Sequence, residues 1–370
     1  MLTQSIVYNL QETVTFVKII YLFSAYLLKK KVTIYDIARE LNITVSTVSR
    51  ALNDSRSIST ETKDQVRAMA QKMNYSPNKL AASLKSGKTF TIGVIVPSAR
   101  VQFFASVIHS IELNLKAAGY GILLYQTNES LENEKQGVKT LLEAQVDGIF
   151  ASLSLETSAD ISHFEAVVRQ GKALVLFDRT MENFNVPSVT LNDFKAGYMA
   201  AEHLLKKNFR NITFIAPPQK ISIFKQRVEG YLAALHDHFI PAHAHTVRYG
   251  TLSIEGGKAQ IKSMMAGCPL PDAVIAGDDF TALGVLRQLK EEGVPAGRVA
   301  VMGFANEVFS EFITPSLTTI EQQPHKMGAE CARIFLAMVN KKNPYDNPEK
   351  VVLEPILVER ESTGELKVKR

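Results

Sequence analysis

Residues 32–53 read VTIYDIARELNITVSTVSRALN, and their apolar side chains recur at helical spacing on both sides of a short polar break. The spacing predicts one helix over Ile34–Leu41 and a second over Val45–Leu52. Thr44 is placed to cap the second helix, because its hydroxyl can accept a free backbone N–H. The second helix turns four side chains outward, Val45, Ser46, Ser49 and Arg50. Such a surface suits the DNA major groove, whereas the alternative is an ordinary corner between two helices.

Basic charge is concentrated around this pair of helices. Residues 29–88 contain twelve Lys and Arg against five Asp and Glu, while the whole chain has a net charge of only +5. This excess is what phosphate binding requires. A third helix is predicted from a cap at Ser59 to about Met73, which makes a small helical domain with a helix-turn-helix.

After residue 90 the pattern changes to apolar strands that alternate with amphipathic helices, which predicts parallel βαβ units. The first series has strands at 92–96, 121–125, 148–151 and 173–177 and helices at 104–118, 132–144 and 161–170. The second has helices at 195–207, 224–236, 255–266 and 281–292 and strands at 212–215, 246–249, 273–276 and 299–304. Two series predict two α/β lobes with a small-molecule site in the cleft between them.

The sequence offers no catalytic or metal-binding pattern, so we expect no enzyme activity, no cofactor and no metal. It has no glycine-rich phosphate loop and no nucleophile elbow. Cys268 and Cys331 lie in no metal-ligand or redox spacing and are expected to be small apolar residues in a reducing cytoplasm. Four histidines near one another are expected to be solvated surface residues rather than ligands: His236, His238, His243 and His245.

Residues 1–30 form an extension to which the sequence assigns no role. Residues 13–28 are apolar, but Lys18 interrupts them and they are short for a membrane span. No small-residue cleavage site follows, so a signal peptide fits poorly. We expect an accessory extension, or upstream sequence included by an early start codon, in preference to a membrane anchor.

Many short strings, in order from residue 32 to about residue 360, resemble the lactose-repressor (LacI/GalR-type) family of bacterial transcriptional regulators. They are TIYDIA, STVSRALN, NYSPN, AASLKSGKT, TIGVIVP, VDGIF, FDR, RVEGYLAAL, DDFTALGVL, VAVMGF and PSLTTIEQ. The resemblance implies an α/β protein with a three-helix DNA-binding head at 31–77 and a hinge helix or linker at 78–89. A two-lobed core at 90–362, similar to periplasmic sugar-binding proteins, would bind the effector and form the dimer.

The resemblance also implies how the chain divides between the lobes. The N-lobe would comprise about 90–190 and 320–347, and the C-lobe about 191–319 and 348–362. The chain would pass between them near Thr190, Thr319 and Asn347.

The same resemblance assigns DNA contacts. Val45, Ser46 and Arg50 would face base edges, with Thr47 and Ser49 near phosphates. Leu84 of the hinge would wedge into the minor groove. Further contacts would come from Thr33, Tyr35, Asn53, Asn78, Ala81 and Lys85. Ala82 stands where the family usually has arginine, so one contact is expected to be missing.

Effector contacts implied by the resemblance are Phe103, Phe104, Asp178, Arg227, Asp278 and Asn306. A carboxylate and a guanidinium together can hold vicinal hydroxyls or an anionic group. Each charged residue has a simpler alternative: Asp178 could pair with Arg179, Asp278 could cap a helix, and Arg227 could be a surface charge.

The chain departs from the family pattern around this site. Val101-Gln102 replaces the usual Asn-Pro, and Asp278-Asp279 replaces the usual Asn-Asp. Ala305 stands where an aspartate is usual, which removes a common acceptor for a sugar hydroxyl. The effector therefore cannot be copied from a relative.

These features together predict a cytoplasmic, sequence-specific transcriptional repressor, associated with the nucleoid when bound to DNA. A homodimer would bind a roughly palindromic double-stranded operator, and a small molecule, expected to be a sugar or sugar derivative, would control it; no membrane partner is expected. The alternative is a periplasmic-type solute-binding or chemoreceptor protein without a DNA role. An enzyme built on the α/β core is a second rival.

Overall fold

The computed structural model describes residues 32–75, 87–157, 160–181, 183–218, 221–242, 246–267, 269–341 and 343–364. Contacts divide the chain into two units, Met1–Gly87 and Lys88–Arg370, here called the head and the core. The predicted hinge helix or linker, with Asn78, Ala81, Leu84 and Lys85, lies outside the described residues apart from Gly87, Lys88 and Thr89. No helix in the described part of the chain is long and apolar enough to cross a membrane.

The head contains three helices, α1 (Ile34–Glu40), α2 (Val45–Leu52) and α3 (Thr60–Lys72). Both predicted caps are confirmed, since the Thr47 amide donates to Thr44 Oγ1 at 3.2 Å and the Thr62 amide donates to Ser59 Oγ at 3.3 Å. Asn42 makes the sharp turn between α1 and α2 with a φ of 51°. Residues spaced by three or four close a small apolar core, namely Ile37, Ala38, Val48, Ala51, Val66 and Ala70.

Two six-stranded sheets form the core. The first has the order β11 (Lys350–Leu353), β5 (Ser188–Leu191), β4 (Ala173–Phe177), β3 (Gly148–Ala151), β1 (Thr91–Val96) and β2 (Gly121–Gln126). The second has the order β12 (Ile356–Val358), β10 (Thr318–Glu321), β9 (Ala300–Phe304), β8 (Ala273–Ala276), β6 (Ile212–Ala216) and β7 (Val247–Tyr249). All neighbouring strands are parallel except β10 and β12. Continuous burial of most inner strands explains their unbroken apolar sequence, because helices cover both faces.

The first lobe contains β1 (Thr91–Val96), α4 (Gln102–Lys116), β2 (Gly121–Gln126), α5 (Leu131–Glu143), β3 (Gly148–Ala151), α6 (Ser162–Arg169), β4 (Ala173–Phe177), β5 (Ser188–Leu191), α12 (Pro324–Met338) and β11 (Lys350–Leu353). The second contains α7 (Asp193–Lys206), β6 (Ile212–Ala216), α8 (Ser222–Asp237), β7 (Val247–Tyr249), α9 (Ile254–Gly267), β8 (Ala273–Ala276), α10 (Asp279–Glu291), β9 (Ala300–Phe304), α11 (Phe309–Phe312), β10 (Thr318–Glu321), β12 (Ile356–Val358) and a 3₁₀ turn (Glu361–Thr363).

The chain passes between the lobes three times. The passages follow β5, β10 and β11, at residues 191–193, 321–324 and 353–356. The passage expected near Asn347 is therefore wrong, and so is the assignment of residues 348–353 to the C-lobe. The reason is that Lys350–Leu353 adds a parallel strand beside β5 before the chain leaves the first sheet.

Helices α7 and α8 of the second lobe cross at two glycines. A Cβ on Gly197 would lie 1.9 Å from the Arg227 carbonyl oxygen, and one on Gly230 would lie 1.9 Å from the Phe194 carbonyl oxygen. Only glycine permits so close an approach of the two backbones. The crossing fixes the distance between the start of α7 and the middle of α8. Asp193 and Arg227 lie at these two places and contact each other.

Candidate functional site

Helix α2 presents a polar surface on the head. Ser46, Arg50 and Asn53 are exposed, whereas Val45, Thr47 and Ser49 are only partly exposed. Val45 packs against the apolar core of the head, so its outward placement is only partly correct. Thr33 and Tyr35 at the start of α1 are also exposed, with Tyr35 at 69%.

Arg50 differs from Arg39, Lys63 and Arg67 of the head in its partners. Arg39 pairs with Asp36 at 2.7 Å, and Lys63 and Arg67 both pair with Asp54, at 3.1 and 3.0 Å. Among the described residues, no side-chain hydrogen bond or ion pair involves the Arg50 guanidinium. It is therefore available for an acceptor outside the head, as a bidentate contact to a guanine requires.

A cleft of about 440 Å³ lies between the two lobes of the core. Residues at the carboxyl ends of strands form much of its wall, as is usual for ligand sites in parallel sheets. Five of the six predicted effector residues line it, namely Phe103, Phe104, Asp178, Arg227 and Asp278. Further lining residues include Glu129, Arg179, Phe224, Phe280, Glu307 and Gln322.

Arg179 and its carboxylate partners form the wall contributed by the first lobe. Arg179 Nη1 donates to both oxygens of Glu129, at 3.0 and 2.8 Å, and its Nε lies 3.7 Å from Asp178 Oδ2. Asp178 also accepts from Ser152 Oγ at 3.3 Å, and its backbone has a left-handed φ of 58°. Burial raises the pKa of Asp178 despite the two nearby guanidiniums. Asp178 therefore both lies beside Arg179 and lines the cleft, so its two alternatives do not exclude each other.

Arg227 lies between two of the passages that connect the lobes. Its Nε donates to Asp193 Oδ1 at 2.7 Å, and its Nη2 donates to Gln322 Oε1 at 3.0 Å. The guanidinium also lies 4.8 Å from the ring centre of Phe304 and 5.7 Å from that of Phe224. Arg227 is only 4% exposed, so the alternative of a surface charge is wrong. Burial raises the pKa of Asp193 to about 6, although Arg227 opposes the shift.

Two aspartates at the start of α10 divide their roles. Asp278 accepts the Thr281 amide at 2.7 Å and so caps the helix, while it also lines the cleft. Asp279 points away from the cleft and accepts from the Glu307 amide, Ser310 Oγ and Thr319 Oγ1 at 2.7–2.8 Å. Burial raises the pKa of both carboxyls. Asp279 therefore fixes the loop after β9, and Asp278 remains the carboxylate that faces a ligand.

Asn306 does not line the cleft. Its Nδ2 donates to Glu321 at 2.9 Å, and its Oδ1 accepts from Arg360 at 2.8 Å. Its neighbours Ala305 and Glu307 line the cleft instead, because positive φ angles of 117° at Ala305 and 54° at Asn306 turn the loop. The assignment of Asn306 by its position in the family pattern missed this turn.

Two contacts join the lobes at the margin of the cleft. The Val308 amide of the second lobe donates to Gln102 Oε1 of the first at 3.1 Å. Leu155 of the first lobe packs against the buried Ile221, Ile223 and Phe224 of the second. Gln102 is one of the two residues that replace the Asn-Pro of the family pattern.

Of the histidines and cysteines singled out in the sequence, His236, His238 and Cys331 are among the described residues, and none of these three lines the cleft. His236 has a side chain that is 90% exposed, and His238 is exposed too, whereas His243 and His245 lie outside the described residues. Cys331 is buried, and burial raises the pKa of its thiol. Cys268 lies outside the described residues.

Comparison with known families places both units of the chain. Residues 33–78 match a family described as "Bacterial regulatory proteins, lacI family". Residues 89–353 match "Periplasmic binding proteins and sugar binding domain of LacI family". The chain belongs to the LacI family. The predicted relationship to the lactose repressor is thus confirmed.

Relatives along nearly the full length of the chain are LacI-type repressors. The HTH-type transcriptional repressor PurR of Pasteurella multocida is 30% identical over 336 residues, which are 89% of this chain and 98% of the relative. The ribose operon repressor of Haemophilus influenzae is 30% identical over 338 residues, which are 90% of this chain and 99% of the relative. This chain is a DNA-binding transcriptional repressor of the LacI family with a ligand-binding domain. A periplasmic-type solute-binding protein, which was the alternative interpretation, would have no DNA-binding head such as residues 33–78.

Solved structures share the fold. The lac repressor dimer bound to operator and the anti-inducer ONPF has a TM-score of 0.80 at 24% identity, over 90% of this chain and 99% of that chain. A LacI family transcriptional regulator from Enterococcus faecium with bound ribose has a TM-score of 0.66 at 27% identity, over 75% of this chain and 100% of that chain. A complex of the regulator CelR with cellobiose has a TM-score of 0.67 at 25% identity, over 90% and 99%.

The LacI-family core of this chain also has cleft residues that the sequence pattern did not assign. Arg179 follows Asp178 in the FDR string, and Glu307 follows Ala305 and Asn306, so both were adjacent to predicted positions. Glu129 and Gln322 follow strands β2 and β10, where parallel sheets place ligand contacts. That rule would have found them, had the strand ends been known.

Proposed function

We propose that this chain represses transcription as a cytoplasmic homodimer on a roughly palindromic operator, and that a sugar or sugar derivative in the cleft changes its operator affinity. The observation that carries this proposal is the cleft itself. Its lining of four phenylalanines and several carboxylates and guanidiniums is what a polyhydroxylated ring would need. The ribose and cellobiose complexes of structurally similar regulators support a sugar-like ligand.

Control of DNA binding would follow from the position of Arg227. Its two partners, Asp193 and Gln322, lie in passages between the lobes, and all three groups are buried at the base of the cleft. A ligand that binds one arrangement of the lobes better than another shifts the population toward it. The change in operator affinity would be limited by the ratio of the ligand affinities of the two arrangements.

DNA recognition would rest on α2. Ser46 and Arg50 would contact base edges, with Val45 at the margin because it is partly buried in the head. Thr47 and Ser49 would lie near phosphates, and Thr33, Tyr35 and Asn53 would supply further contacts. The Asn53 side chain already donates to the Ser49 carbonyl at 2.9 Å, so its contact would be less free than that of Arg50.

Arg50→Ala tests the assigned helix. After an operator is selected from random-sequence DNA, the variant should lose roughly ten- to a hundredfold of its preference for that operator over unrelated DNA, since a bidentate base contact contributes ~1–3 kcal/mol. Arg39→Ala is the matched control, because Arg39 is exposed on α1 and already paired with Asp36. Operator preference that survives in Arg50→Ala would show that another element reads the bases.

A panel of sugars tests effector control. Each compound is assayed for stabilisation of the core by thermal shift and for its effect on operator affinity. A compound that binds the cleft should change operator affinity by about five- to a hundredfold, the usual range of allosteric coupling. If stabilising compounds leave operator affinity unchanged, the cleft does not control DNA binding.

A further inference from the structure

Glu307 is buried in the wall of the cleft without a partner for its charge. It is 5% exposed and lines the cleft, yet no described residue donates a hydrogen bond to its carboxylate. Its backbone is held firmly, since its amide donates to Asp279 Oδ2 at 2.8 Å and its carbonyl accepts the Ser310 amide at 2.9 Å. Because this carboxylate lines the cleft and accepts from no described residue, a ligand in the cleft is the partner open to it.

Nearby charges do not compensate Glu307. Burial, Asp279 and Asp278 together raise its pKa to about 7. Arg179 Nη1 of the first lobe donates to Glu129, and Arg227 donates to Asp193 and Gln322. Each cleft guanidinium therefore has an acceptor of its own, although Arg179 Nε, 3.7 Å from Asp178 Oδ2, makes no hydrogen bond among the described residues.

The balance of charge around the cleft favours a cation. Among its lining residues, four carboxylates stand against two guanidiniums: Glu129, Asp178, Asp278 and Glu307 against Arg179 and Arg227. Asp193 and Asp279 add buried carboxylates just behind this wall. A phosphorylated or carboxylated ligand would meet like charge here, whereas an ammonium group would relieve the repulsion between carboxylates.

Aromatic rings complete the recognition surface. Phe103, Phe104, Phe224 and Phe280 line the same cleft. Such rings pack against the apolar face of a sugar and attract a cation through their negative faces.

We propose that the effector is a sugar-sized molecule with a protonated amine, such as an amino sugar, and that Glu307 together with Asp278 binds its ammonium group. This inference rests on the proposed effector function of the cleft and narrows its ligand class. Glu307 would then replace the aspartate that is usual in the family at residue 305. It would bind an ammonium group, whereas that aspartate accepts from a sugar hydroxyl.

Amine binding should depend on pH in a defined direction. With a pKa of about 7 in the empty cleft, Glu307 is mostly protonated at pH 6 and mostly ionised at pH 8. Only the ionised form pairs with an ammonium group, so affinity for the protonated amine should rise about tenfold between these pH values as the competent fraction grows. The free amine of an amino sugar loses its own proton near pH ~8, so each measured affinity is corrected for the fraction of the ligand that is ammonium. The other groups that face Glu307 are Asp278 and Asp279 of α10, whose pKa values are also raised. At pH 6, where the amine is already protonated and Glu307 is mostly protonated, binding should release a proton.

The test uses matched ligands and the full chain. Glucosamine, galactosamine and mannosamine are compared with the parent neutral sugars and their 6-phosphates by thermal shift, and binders are titrated calorimetrically at pH 6 and pH 8. We expect binding from the amine class alone, with tighter binding of the protonated amine at pH 8 than at pH 6. The proposal is overturned if no amine binds, if neutral or phosphorylated sugars bind as well as amines, or if affinity for the protonated amine falls as pH rises.

Two variants separate charge recognition from structure. Glu307→Gln should lower affinity for the amine at least tenfold and remove the pH dependence, while the empty protein stays folded because an unpaired charge is removed. Glu311→Gln is the control, because Glu311 is exposed on α11 and does not line the cleft. Unchanged amine affinity in Glu307→Gln contradicts the assignment.

The outcomes also distinguish this inference from the proposed function. A neutral sugar that binds the cleft and changes operator affinity overturns the amine assignment and leaves effector control intact. An amino sugar that binds through Glu307 without any change in operator affinity supports the amine assignment and overturns effector control.

Discussion

Gly230→Ala is expected to destabilise the core by about 3 kcal/mol, because overpacking between close helices forces the backbones apart. The added Cβ would lie 1.9 Å from the Phe194 carbonyl oxygen and 2.8 Å from the Tyr198 amide nitrogen. Backbone atoms cannot move aside as the end of a flexible side chain can. Helices α7 and α8 must therefore separate, which disturbs the start of α7 where Asp193 meets Arg227. The free energy of unfolding in urea measures the effect.

Gly267→Ala provides the matched control for this substitution. Gly267 ends helix α9, and a Cβ there would meet nothing within 4 Å. Alanine is the better helix former, so the control should be unchanged or more stable by up to about 1 kcal/mol. Equal stability of the two alanine variants would mean that the α7–α8 crossing is looser than the structure indicates.

Arg227→Ala should cost about 3–5 kcal/mol of stability, since it leaves Asp193 buried without its cation. The two side chains are 4% and 2% exposed, and their 2.7 Å contact is the principal compensation for the buried carboxylate. Burial already raises the pKa of Asp193 to about 6 with Arg227 present, and without it the pKa should rise further. The variant should also lose its effector response, because the guanidinium lines the cleft.

The loss of stability in Arg227→Ala should depend on pH. When burial raises the pKa of a carboxyl in the folded state, the folded protein binds that proton more tightly than the unfolded chain does. The contribution of Asp193 to stability is therefore complete below its unfolded pKa, ~4, and it falls as pH rises through the folded pKa. Arg227→Ala should thus lose more stability at pH 8 than at pH 5, relative to the unchanged protein. A second substitution, Asp193→Leu, should restore much of the loss because the unpaired charge is removed. An equal loss at both pH values, or no rescue, would contradict the ion-pair account.

This geometry changes the meaning of an arginine substitution in the cleft. Arg227 both lines the cleft and supports the passages between the lobes, so a lost effector response in Arg227→Ala cannot by itself identify a ligand contact. Glu307→Gln is the cleaner probe of binding, because it removes a group with no partner among the described residues.

Short-range features of the structure were readable from the sequence. Thr44 and Ser59 cap helices within three residues of themselves, and the head core follows the apolar spacing of α1, α2 and α3. The alternation of strands and helices up to Phe304 was also predictable, because each period reflects burial of one element. Strand β5 and the elements beyond residue 304, namely α11, β10, α12, β11 and β12, were not predicted and appeared only in the structure.

The cleft was predictable in part. Family position identified Phe103, Phe104, Asp178, Arg227 and Asp278 as lining residues, and the structure brings them together. It did not identify Glu307, and it assigned Asn306, which does not line the cleft because two positive φ angles turn that loop. A single altered turn exchanges the residues that face a ligand, and a sequence pattern does not specify such a turn.

The sequence by itself determined that the chain has a helix-turn-helix head, a two-lobed α/β core and the side chains of a ligand cleft. Only the tertiary structure decided which charges pair. Arg227 meets Asp193 and Gln322, which are 34 and 95 residues away in sequence. Periodicity and capping act over a few residues and leave a local signature. The partner and the burial of a charge depend on where distant strands end, which is why Glu307 was identified as an unpaired carboxylate only in the folded core.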